Sequence, residues 1–515
     1  MPKLTDYTSY ADAMRQFSKP ALWDLFDGDR ERLNIAHECV DRHPAERMAV
    51  RIVHEEGGYE DITFGDLALW SNRVANFLVA QGVAPGDRVA IMLDPSLAFY
   101  AVLFGAMKAG AVAVPLFTLF GSDGLAMRVD DCTPKILFLA PEKADLAAGL
   151  PDLKSFVADD ALLAQIAVES SDFVAGSRAD DMAMYQYTSG TTRDLPEAVK
   201  HRHRAIVTVA IAALYGTGIR PGDRFLCPSS PAWGHGLWHG TLAPLAFGVT
   251  IASYAGRFRP ERLMQALEDL QISNLSAAAT HYRMMKNAGA GTHRFALEKL
   301  SFTGEPIDSD TAQWVERTLG HAPCSMYGTT EVGAIIFDYP GAADHAVRPG
   351  ALGKPAPGQE IAILDDDGKP CAAGAVGNIM VRRGSGWYHT KDRGHTDEDG
   401  YFYHDGRADD VIISAGWTIS AVQVENILLK HADVAETAVI AVADDERGQV
   451  VKAFVVSDRA GSETFAAELQ AFTKDRLSQH EYPRKIDFVA ALPKTPAGKV
   501  NRKTLRDLEN QAESQ

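Results

Sequence analysis

Short apolar runs alternate with longer amphipathic segments from about residue 50 to about residue 360. Several runs are rich in Val, Ile and Leu and are bounded by turn residues, which predicts β-strands. The runs that predict strands are 87–93, 111–116, 134–140 and 272–278. Segments 96–110 and 259–271 have the apolar spacing of helices, and the first ends at Gly110. Because strands alternate with helices, the pattern predicts an α/β fold with sheets covered by helices.

The pattern changes at residues 385–410, which are dense in charged, glycine and aromatic residues. Asp-Gly pairs at 399–400 and 405–406 are turn signals, so this segment predicts loops and tight hairpins. The roughly 100 residues that follow have their own alternation of strands and helices, and they are long enough to fold alone. We therefore predict an N-terminal domain over 1–408 and a C-terminal domain over 409–515.

Residues 101–120 form the longest apolar stretch, but it contains Lys108, Pro115 and two glycines. A bilayer-spanning helix needs about 20 mainly apolar residues without such interruptions. The stretch therefore favours a buried helix followed by a buried strand, and we expect no stable membrane insertion. The N-terminal residues lack the basic and apolar pattern of a secretory signal.

Composition narrows the class of protein further. With 515 residues the chain is too long for one ordinary core, so two or more domains are expected. A formal net charge of -17 argues against a nucleic-acid surface, which needs clustered Lys and Arg. The five cysteines are scattered without a CxxC pair, so neither a disulfide framework nor a Cys-based zinc site is expected. These features are typical of a cytoplasmic enzyme, and they leave open whether it is a homo-oligomer.

The segment "YTSGTTRDLPEAVKHRHR" (187–204) begins with small hydroxylated residues and one glycine. The residues that would wrap a phosphate with main-chain N–H groups and hydroxyls are Thr188, Ser189, Gly190, Thr191 and Thr192. The spacing GxxxxGK[ST] of a P-loop does not occur. Asp194 and Glu197 place negative charge in the same segment, so three interpretations stay open: a working nucleotide loop, a damaged one, or a turn.

Two other segments carry candidate chemistry. In "SMYGTTEVG" (325–333) a carboxylate follows hydroxyls in a glycine-flanked turn, an arrangement that suits Mg²⁺ and phosphate. The alternative is a strand end with a solvated glutamate. In "LPKTPAGKVNRKTLR" (492–506) Lys499 follows a glycine in a basic, proline-bounded loop that could carry one lysine to an anionic centre. The alternative is a solvated basic C-terminus.

Other catalytic classes find little support. His235 and His239 have the i, i+4 spacing of a metal pair, but no third ligand follows at zincin spacing, so zinc is disfavoured. No GxSxG segment is present, so an α/β-type serine hydrolase has no support.

In their order along the chain, six segments resemble the AMP-forming adenylate synthetases, which include acyl-CoA synthetases, adenylation domains and firefly-type luciferases. These segments are "YTSGTT" (187–192), "TGEPI" (303–307), "YGTTE" (327–331), "KDRGHTDEDGYFYHDGRADDVI" (391–412), "SAGW" (414–417) and "PKTPAGK" (493–499). The segments "VVKAFVV", "YPRKIDFV" and "LPKTPAGKVNR" look most like the acetyl- and medium-chain acyl-CoA synthetase branch.

This resemblance implies a large N-terminal domain of two α/β subdomains plus a β-barrel-like subdomain. It also implies a small, mobile α+β C-terminal lid that rotates about a hinge at Asp409. The implied reaction joins a carboxylic acid to AMP from ATP and then transfers the acyl group to CoA, with Mg²⁺ as the metal. The implied partners are therefore a carboxylic acid, ATP and CoA.

The resemblance also assigns roles to residues at the reacting phosphate. Lys499 would bridge the substrate carboxylate and the α-phosphate, Thr330 would bond the α-phosphate, and Glu331 would hold Mg²⁺. Residues 188–192 would wrap the β- and γ-phosphates. For thioester formation the lid would turn, remove Lys499 and present the face around Gly416 to the CoA thiol.

The nucleoside would be bound by a second group of residues. Gly304, Glu305 and Pro306 would line the adenine through main-chain contacts, and Tyr327 would stack on the ring. Thr329 and Gly328 belong to the same turn. Asp392 would accept hydrogen bonds from the ribose hydroxyls, and Arg407 would bond the same sugar.

The resemblance predicts an acyl pocket for a medium-sized monocarboxylic acid, whether medium-chain fatty, alicyclic or aryl. Acetate-specific relatives carry a bulky Trp at the position of Gly328, so the glycine is expected to leave room. Trp233, His235 and Trp238 are expected to form another wall. For Trp238, core packing is the alternative.

Several positions depart from the family pattern. Arg193 and Asp194 replace a single glycine, Glu197 replaces the lysine of the phosphate loop, and Lys391 stands where the T-G-D pattern has glycine. Thr418 stands where relatives often have an arginine. We expect Glu197 to face away from the phosphates, with a nearby cation supplying the charge; the candidates are Arg193, Lys200 and Arg202. Two other functions stay open, namely transfer to a carrier protein or oxygen, and a catalytically impaired sensor of nucleotide or acyl-CoA.

Overall fold

The computed structural model describes residues 3–187, 198–329, 331–407, 412–414, 417–444, 448–477, 482–495 and 499–513. The chain divides into two compact units. The N-terminal unit comprises Met1–Val347 and Ala356–Gly358, and the C-terminal unit comprises Arg348–Pro355 and Gln359–Gln515. The predicted boundary at Asp409 falls outside the described residues, so it stays a prediction.

The N-terminal unit alternates strands with helices. Its strands are β1 (Met48–His54), β2 (Tyr59–Thr63), β3 (Arg88–Met92), β4 (Val112–Pro115), β5 (Ile136–Leu139), β6 (Lys154–Val157), β7 (Met182–Gln186), β8 (Val199–Arg202), β9 (Arg224–Cys227), β10 (Thr250–Ala255), β11 (Asn274–Ala278), β12 (Lys299–Thr303), β13 (Cys324–Thr329) and β14 (Gly333–Phe337). Its α-helices are α1 (Tyr10–Gln16), α2 (Lys19–Trp23), α3 (Phe64–Ala80), α4 (Leu97–Lys108), α5 (Ser122–Cys132), α6 (Asp160–Ala167), α7 (Ala205–Tyr215), α8 (Ala243–Ala246), α9 (Pro260–Asp269), α10 (Ala279–Ala288) and α11 (Ser309–Leu319). Short 3₁₀ segments span Leu4–Asp6 and Pro141–Gly149, and π-helical segments span His37–Asp41 and His235–Leu242.

These strands form two sheets. The first has the order β6-β5-β3-β4-β7-β8, and its strands are parallel except β8, which runs antiparallel to β7. In the second, the strands of this unit have the order β14-β13-β12-β11-β9-β10-β1-β2. Its central strands are parallel, whereas β2 and β14 pair antiparallel with their neighbours. Parallel strands joined by helices are the architecture that the alternating sequence pattern predicted.

The two sheets share one hydrophobic core. Ile91 of the first sheet and Ile52 of the second lie in the same buried cluster, together with residues of α3, α4 and α7. Helix α4 is buried from Phe99 to Lys108, which explains its continuous apolar sequence. The ammonium of Lys108 is compensated inside this core, since it donates to Asp41 Oδ1 at 2.5 Å and to the Asn72 side-chain oxygen at 2.7 Å. Burial lowers the pKa of Lys108.

The C-terminal unit contains antiparallel strands followed by a small α+β segment. Its strands are β15 (Ala351–Pro355), β16 (Ile361–Leu364), β17 (Gly377–Arg383), β18 (Gly386–Thr396), β19 (Phe402–Arg407), β20 (Ile412–Ser414), β21 (Trp417–Ile419), β22 (Glu436–Asp444), β23 (Gly448–Val456) and β24 (Lys485–Phe488), and its helices are α12 (Ala421–Leu428), α13 (Glu463–Arg476) and α14 (Arg502–Glu513). Strands β16, β17, β18, β19 and β15 neighbour one another in that order and are antiparallel. This sheet stands where the resemblance implied a β-barrel-like subdomain.

The last part of the chain packs around a three-stranded sheet, β22-β23-β24. One face of this sheet shares a buried cluster with α12 and α13, through residues such as Val424 and Phe465. The other face packs against Leu492 and against Leu505 of α14. Both faces are therefore covered, as expected for a segment that can form its own core.

Most elements match the sequence predictions, with one correction. Segment 101–120 is a buried helix followed by a strand, as predicted, and no helix in the described part of the chain is long and apolar enough to span a membrane. Segment 385–410 was expected to consist of loops and tight hairpins, but most of it is the long β18–β19 hairpin. Around Asp392 the exposure of β18 residues alternates: Thr390, Asp392 and Gly394 are buried, whereas Lys391 is exposed.

Gly105 permits the close approach of α3 and α4. A Cβ atom at this position would lie 2.7 Å from the Cβ and Cγ1 atoms of Val74. We therefore expect Gly105→Ala to lower the free energy of unfolding by about 1–3 kcal/mol through overpacking. At the matched control Gly124, a Cβ would make ordinary contacts of 3.5 Å with Phe120, so Gly124→Ala should be neutral or stabilising. Urea unfolding of both variants measures this, and equal effects would contradict the packing argument.

Candidate active site

Strands β11, β12 and β13 run in register, so their carboxyl ends meet at one edge of the sheet. Ala278 pairs with Thr303, and Thr303 pairs with Met326. The Thr303 hydroxyl donates to the Met326 carbonyl at 2.7 Å, which ties the ends of β12 and β13 together. The structure thereby brings together six predicted nucleotide-binding residues, which we call the carboxyl edge: Gly304, Glu305, Pro306, Tyr327, Gly328 and Thr329. Ligands of α/β proteins bind outside such strand ends.

After β12 the chain exposes its main chain. Gly304 has φ of 94°, a left-handed conformation that glycine adopts without strain. The Glu305 carboxylate is held by α10, where the Thr280 hydroxyl and Arg283 Nη2, at 3.3 Å, donate to it. Gly304 and Pro306 are exposed. Because the Glu305 side chain is bound to α10, a ligand here would meet mainly backbone, and contact with adenine stays a prediction.

Side-chain oxygen atoms that could bind a metal ion or phosphate lie at the end of β13 and in the turn that follows. The Thr329 hydroxyl is buried and has no hydrogen-bond partner among the described residues. Glu331 is exposed, and no ion pair joins its carboxylate to a described residue. Thr330 lies outside the described residues. One carboxylate beside hydroxyl oxygens is a donor set that fits Mg²⁺ together with phosphate oxygens.

Packing within the β13–β14 hairpin requires a glycine at position 328. A Cβ atom there would lie 2.0 Å from the carbonyl oxygen of Gly333 and 2.5 Å from the Cα of Ala334. No side chain fits without a shift of the β14 backbone, so strand packing alone accounts for the glycine. Whether Gly328 also borders an acyl group stays a prediction.

One carboxylate holds both ends of the proposed phosphate loop. Tyr187, which precedes the loop, donates through its hydroxyl to Asp131 Oδ2 at 2.7 Å and to the Arg128 carbonyl at 3.0 Å. Ala198, which follows the loop, donates through its amide to the same Asp131 oxygen at 3.2 Å. Residues 188–197 themselves lie outside the described part, including the predicted contacts at 188–192. Asp131 of α5 was not identified from the sequence, because it lies 56 residues before Tyr187.

The cations expected to offset Glu197 differ in their surroundings. Arg202 donates to the Asp180 carbonyl at 2.6 Å, so it is already engaged. Lys200 is exposed and its ammonium lies over the Tyr185 ring, 5.1 Å from the centroid. Arg193 and Glu197 lie outside the described residues. The geometry therefore favours Lys200 over Arg202 as the cation that offsets Glu197. That such a cation supplies the charge of the missing loop lysine stays a hypothesis.

His235 is enclosed in a polar network below the sheet edge. Its residue is 3% exposed, with Nδ1 3.1 Å from the Ser229 hydroxyl and Nε2 2.8 Å from the Ser276 hydroxyl, which also accepts from Ser301. Burial lowers the pKa of His235 well below its usual value, so the ring is neutral at pH 7. These contacts favour a structural role, and direct contact with an acyl group stays a prediction.

The two tryptophans of the expected acyl wall differ. Trp238 is 5% exposed, donates from its indole to Gln186 Oε1 at 3.1 Å, and packs edge-on against His201 at 4.9 Å. Trp233 is half-buried and packs edge-on against His235. The surroundings of Trp238 fit the core-packing alternative, whereas Trp233 retains an open surface. Gln186 was missed, although a polar residue at the buried end of β7 was a usable signal.

His235 and His239 lie on the same π-helical segment. The rings of His235 and His239 are 6.3 Å apart, and no third ligand joins them in the described part of the chain. A group with metal-ligand spacing does occur at His431, Asp433 and Glu468. Both of its carboxylates are already paired with Arg459, at 3.0 and 2.9 Å.

The residues predicted to bind ribose lie in the C-terminal unit. Asp392 is 3% exposed, and its neighbour across the β18–β19 pair is Arg407. Asp392 Oδ1 lies 3.4 Å from Nε2 of His404, and the Asp392 amide donates to the Thr390 hydroxyl. Lys391 has φ of 67°, which explains why relatives of the predicted family have glycine there, since a side chain in this region costs about 1–2 kcal/mol.

Lys499 lies at the end of a closed loop. Lys494 and Val500 form an antiparallel bridge, the Thr495 amide donates to the Lys499 carbonyl at 2.7 Å, and the Lys499 amide donates to the Thr495 hydroxyl at 3.3 Å. These bonds fix the main chain of Lys499 at the base of the loop. Gly416 and the hinge Asp409 lie outside the described residues.

Comparison with known proteins identifies the family. Residues 36–386 match the AMP-binding enzyme family, and residues 423–499 match the C-terminal domain of AMP-binding enzymes. The chain therefore belongs to the AMP-binding enzyme family, and the resemblance to AMP-forming adenylate synthetases is confirmed.

Three relatives illustrate this membership. The acetyl-coenzyme A synthetase of Bacillus subtilis (strain 168) is 30% identical over 521 aligned residues, covering 92% of this chain and 90% of that protein. The crystal structure of Brucella canis acyl-CoA synthetase matches with a TM-score of 0.76 and 31% identity, covering 98% of this chain and 99% of that one. The anthranilate CoA ligase AuaEII in complex with anthranoyl-AMP matches with a TM-score of 0.84 and 25% identity, covering 95% and 99%. These are acid–thiol ligases, which confirms the predicted enzyme class.

The Asp131 contacts predict an effect on ATP binding. Asp131→Ala removes the acceptor that holds Tyr187 and Ala198, so the loop ends should lose their fixed spacing. We expect the KM for ATP to rise about 10-fold, as for the loss of a charge-assisted hydrogen bond. Asp130→Ala, at the exposed neighbouring position, is the control and should leave KM unchanged. Steady-state kinetics against ATP concentration measure this, and an unchanged KM in Asp131→Ala would refute the anchoring role.

Proposed function

We propose that the protein activates a medium-sized monocarboxylic acid with ATP, giving acyl-AMP and pyrophosphate, and then transfers the acyl group to CoA. The observation that carries the proposal is the carboxyl edge, where the exposed main chain after β12 is joined by the Thr329 hydroxyl, which has no partner among the described residues, and is followed along the chain by the Glu331 carboxylate. Main-chain groups, hydroxyls and a carboxylate are what a nucleoside triphosphate and its metal require.

The first step brings a carboxylate anion onto the α-phosphorus of a polyanion. Lys499 would bridge the two reacting groups and stabilise the charge that develops on the α-phosphate. Thr330 would bond the same phosphate, and residues 188–192 would hold the β- and γ-phosphates, with the loop ends fixed by Asp131. Glu331 would hold Mg²⁺, which when bound offsets the phosphate charge.

Two groups of residues would hold the nucleoside. Tyr327 would stack on the adenine against the backbone of 304–306, while Asp392 and Arg407 would bond the ribose. In the second step the CoA thiol attacks the acyl carbon and AMP leaves. Rotation of the lid about Asp409 would withdraw Lys499 and present the face around Gly416, because the lysine and the thiol need the same space.

Two observations support a substrate larger than acetate. Trp233 keeps part of its ring accessible beside the carboxyl ends of the strands, which suits an apolar or aromatic acid. By its name, the structural relative AuaEII acts on anthranilate, an aryl acid. The cytoplasmic location and the oligomeric state stay predictions.

A panel of acids tests this function. Pyrophosphate and AMP release should be measured with acetate, octanoate, cyclohexanecarboxylate and benzoate, each with and without CoA. We expect pyrophosphate with at least one of the larger acids, little with acetate, and thioester only when CoA is present. Pyrophosphate without thioester would indicate a carrier protein or oxygen as acceptor. No pyrophosphate with any acid would sink the ligase proposal in favour of a nucleotide-binding sensor.

The role of Lys499 has its own test. Lys499→Ala should slow acyl-AMP formation about 100- to 1,000-fold, because a charge that stabilises the transition state is lost. Thioester formation from supplied acyl-AMP should stay close to that of the unmodified protein. Lys503→Ala, an exposed lysine of the same basic segment, is the control and should affect neither step. Equal loss of both steps in Lys499→Ala would contradict the two-step assignment.

A further inference from the structure

An ion pair lies three residues beyond Lys499. Arg502, the first residue of α14, donates from Nη2 to both carboxylate oxygens of Glu425, at 2.7 and 2.6 Å, and from Nε at 3.2 Å. Glu425 belongs to α12 and is 8% exposed. A bidentate guanidinium–carboxylate contact fixes both distance and orientation, more strongly than a neutral hydrogen bond does.

The same carboxylate also binds the sheet. Glu425 Oε1 accepts the amide of Val439 in β22 at 2.7 Å. Glu425 therefore joins three elements, α12, β22 and the start of α14, at one buried point. A carboxylate with these partners cannot move without leaving a buried charge unpaired.

The chain between Arg502 and Lys499 has little independent freedom. Val500 is held in the bridge to Lys494, and the Asn501 amide donates to the Pro493 carbonyl at 2.8 Å. The Asn501 side chain in turn accepts the amide of Thr504 in α14. Arg502 is therefore joined through a constrained main chain to Lys499, and it shares with residues 493–495 the control of where that main chain lies.

Helix α14 has a second anchor that does not adjoin the loop. Lys452 of β23 donates to both carboxylate oxygens of Glu509 at 2.7 Å, and it pairs with Asp487 at 2.8 Å. Glu509 lies seven residues, or about two turns, after Arg502. The helix is thus pinned at two places, and the Arg502 end is the one next to Lys499.

We infer that the Glu425–Arg502 pair positions Lys499 for acyl-AMP formation. Arg502 and Glu425 act as positioning residues, because Arg502 acts on Lys499 through the main chain of residues 500–501. The inference rests on the proposed role of Lys499 in the first step. Since the second step does not use this lysine, loosening the pair should slow adenylation selectively.

The test compares three variants of the full-length protein in the two half-reactions. In Arg502→Gln the guanidinium is lost, and in Glu425→Gln the charge is lost while an acceptor for Val439 remains. Both should lower the kcat of ATP–pyrophosphate exchange about 10- to 100-fold, the cost of misplacing a catalytic group by about 1 Å. The KM for ATP and the rate of thioester formation from supplied acyl-AMP should change little. Glu509→Gln, which loosens the other anchor of α14, should leave exchange close to wild type.

A further variant distinguishes loss of positioning from misfolding. Arg502→Lys keeps the positive charge but cannot form the two-pronged contact, so its exchange rate should fall between those of wild type and Arg502→Gln. Parallel loss of both half-reactions, or an Arg502→Gln effect no larger than that of Glu509→Gln, would overturn the positioning role. If Lys499→Ala itself retained exchange, the proposed role of Lys499 would fail instead, and if the unmodified protein showed no exchange with any acid, the proposed function would fail, so these failures are distinguishable.

Discussion

Parallel strands in register carry their following loops to one edge of a sheet, and this constraint determines where the N-terminal unit can bind a ligand. The pairing of Ala278, Thr303 and Met326 aligns β11, β12 and β13, and the Thr303 hydroxyl locks the last two together. Segments 304–306 and 327–329 become neighbours for that reason, although 20 residues separate them along the chain. Leu275 of β11 and Leu300 of β12 are buried in one hydrophobic cluster, and Met326 of β13 is buried in the core shared by the two sheets, so close packing supports all three strands of the edge.

Because the net charge of the protein is -17, positive charge for an anionic ligand must come from individual residues near the site. Buried lysines are committed to carboxylates: Lys299 binds Asp223 and Lys452 binds Glu509. In the proposed reaction, the approach of an anionic acid to a triphosphate would therefore depend on backbone dipoles, hydroxyls and the ammonium of Lys499. In such an arrangement the position of one ammonium matters more than the overall field of the protein.

Much of the fold, and the order of the motifs, could be predicted from the sequence alone. Segment 101–120 predicted a buried helix and strand because its apolar residues are nearly continuous and the glycines and proline that interrupt them lie within the segment itself. The contacts that organise the site could not be predicted in this way. Asp131 lies 56 residues from Tyr187, and Glu425 lies 77 residues from Arg502, so no local pattern connects them. Gly328 shows the converse limit, since the residue was identified from the motif whereas its packing against Gly333 required coordinates.

The contacts of Asp131 affect how much the sequence of the proposed phosphate loop can vary. One carboxylate holds the residues on either side of positions 188–197, so the span that the loop must bridge is set by α5 and not by the loop itself. A chain closed at its base gains or loses a residue at a small entropic cost, which grows only with the logarithm of length. The replacement of one glycine by Arg193 and Asp194 can therefore be accommodated as an insertion without moving β7 or β8. In evolutionary terms, the interior of the loop can diverge while its two ends stay in place.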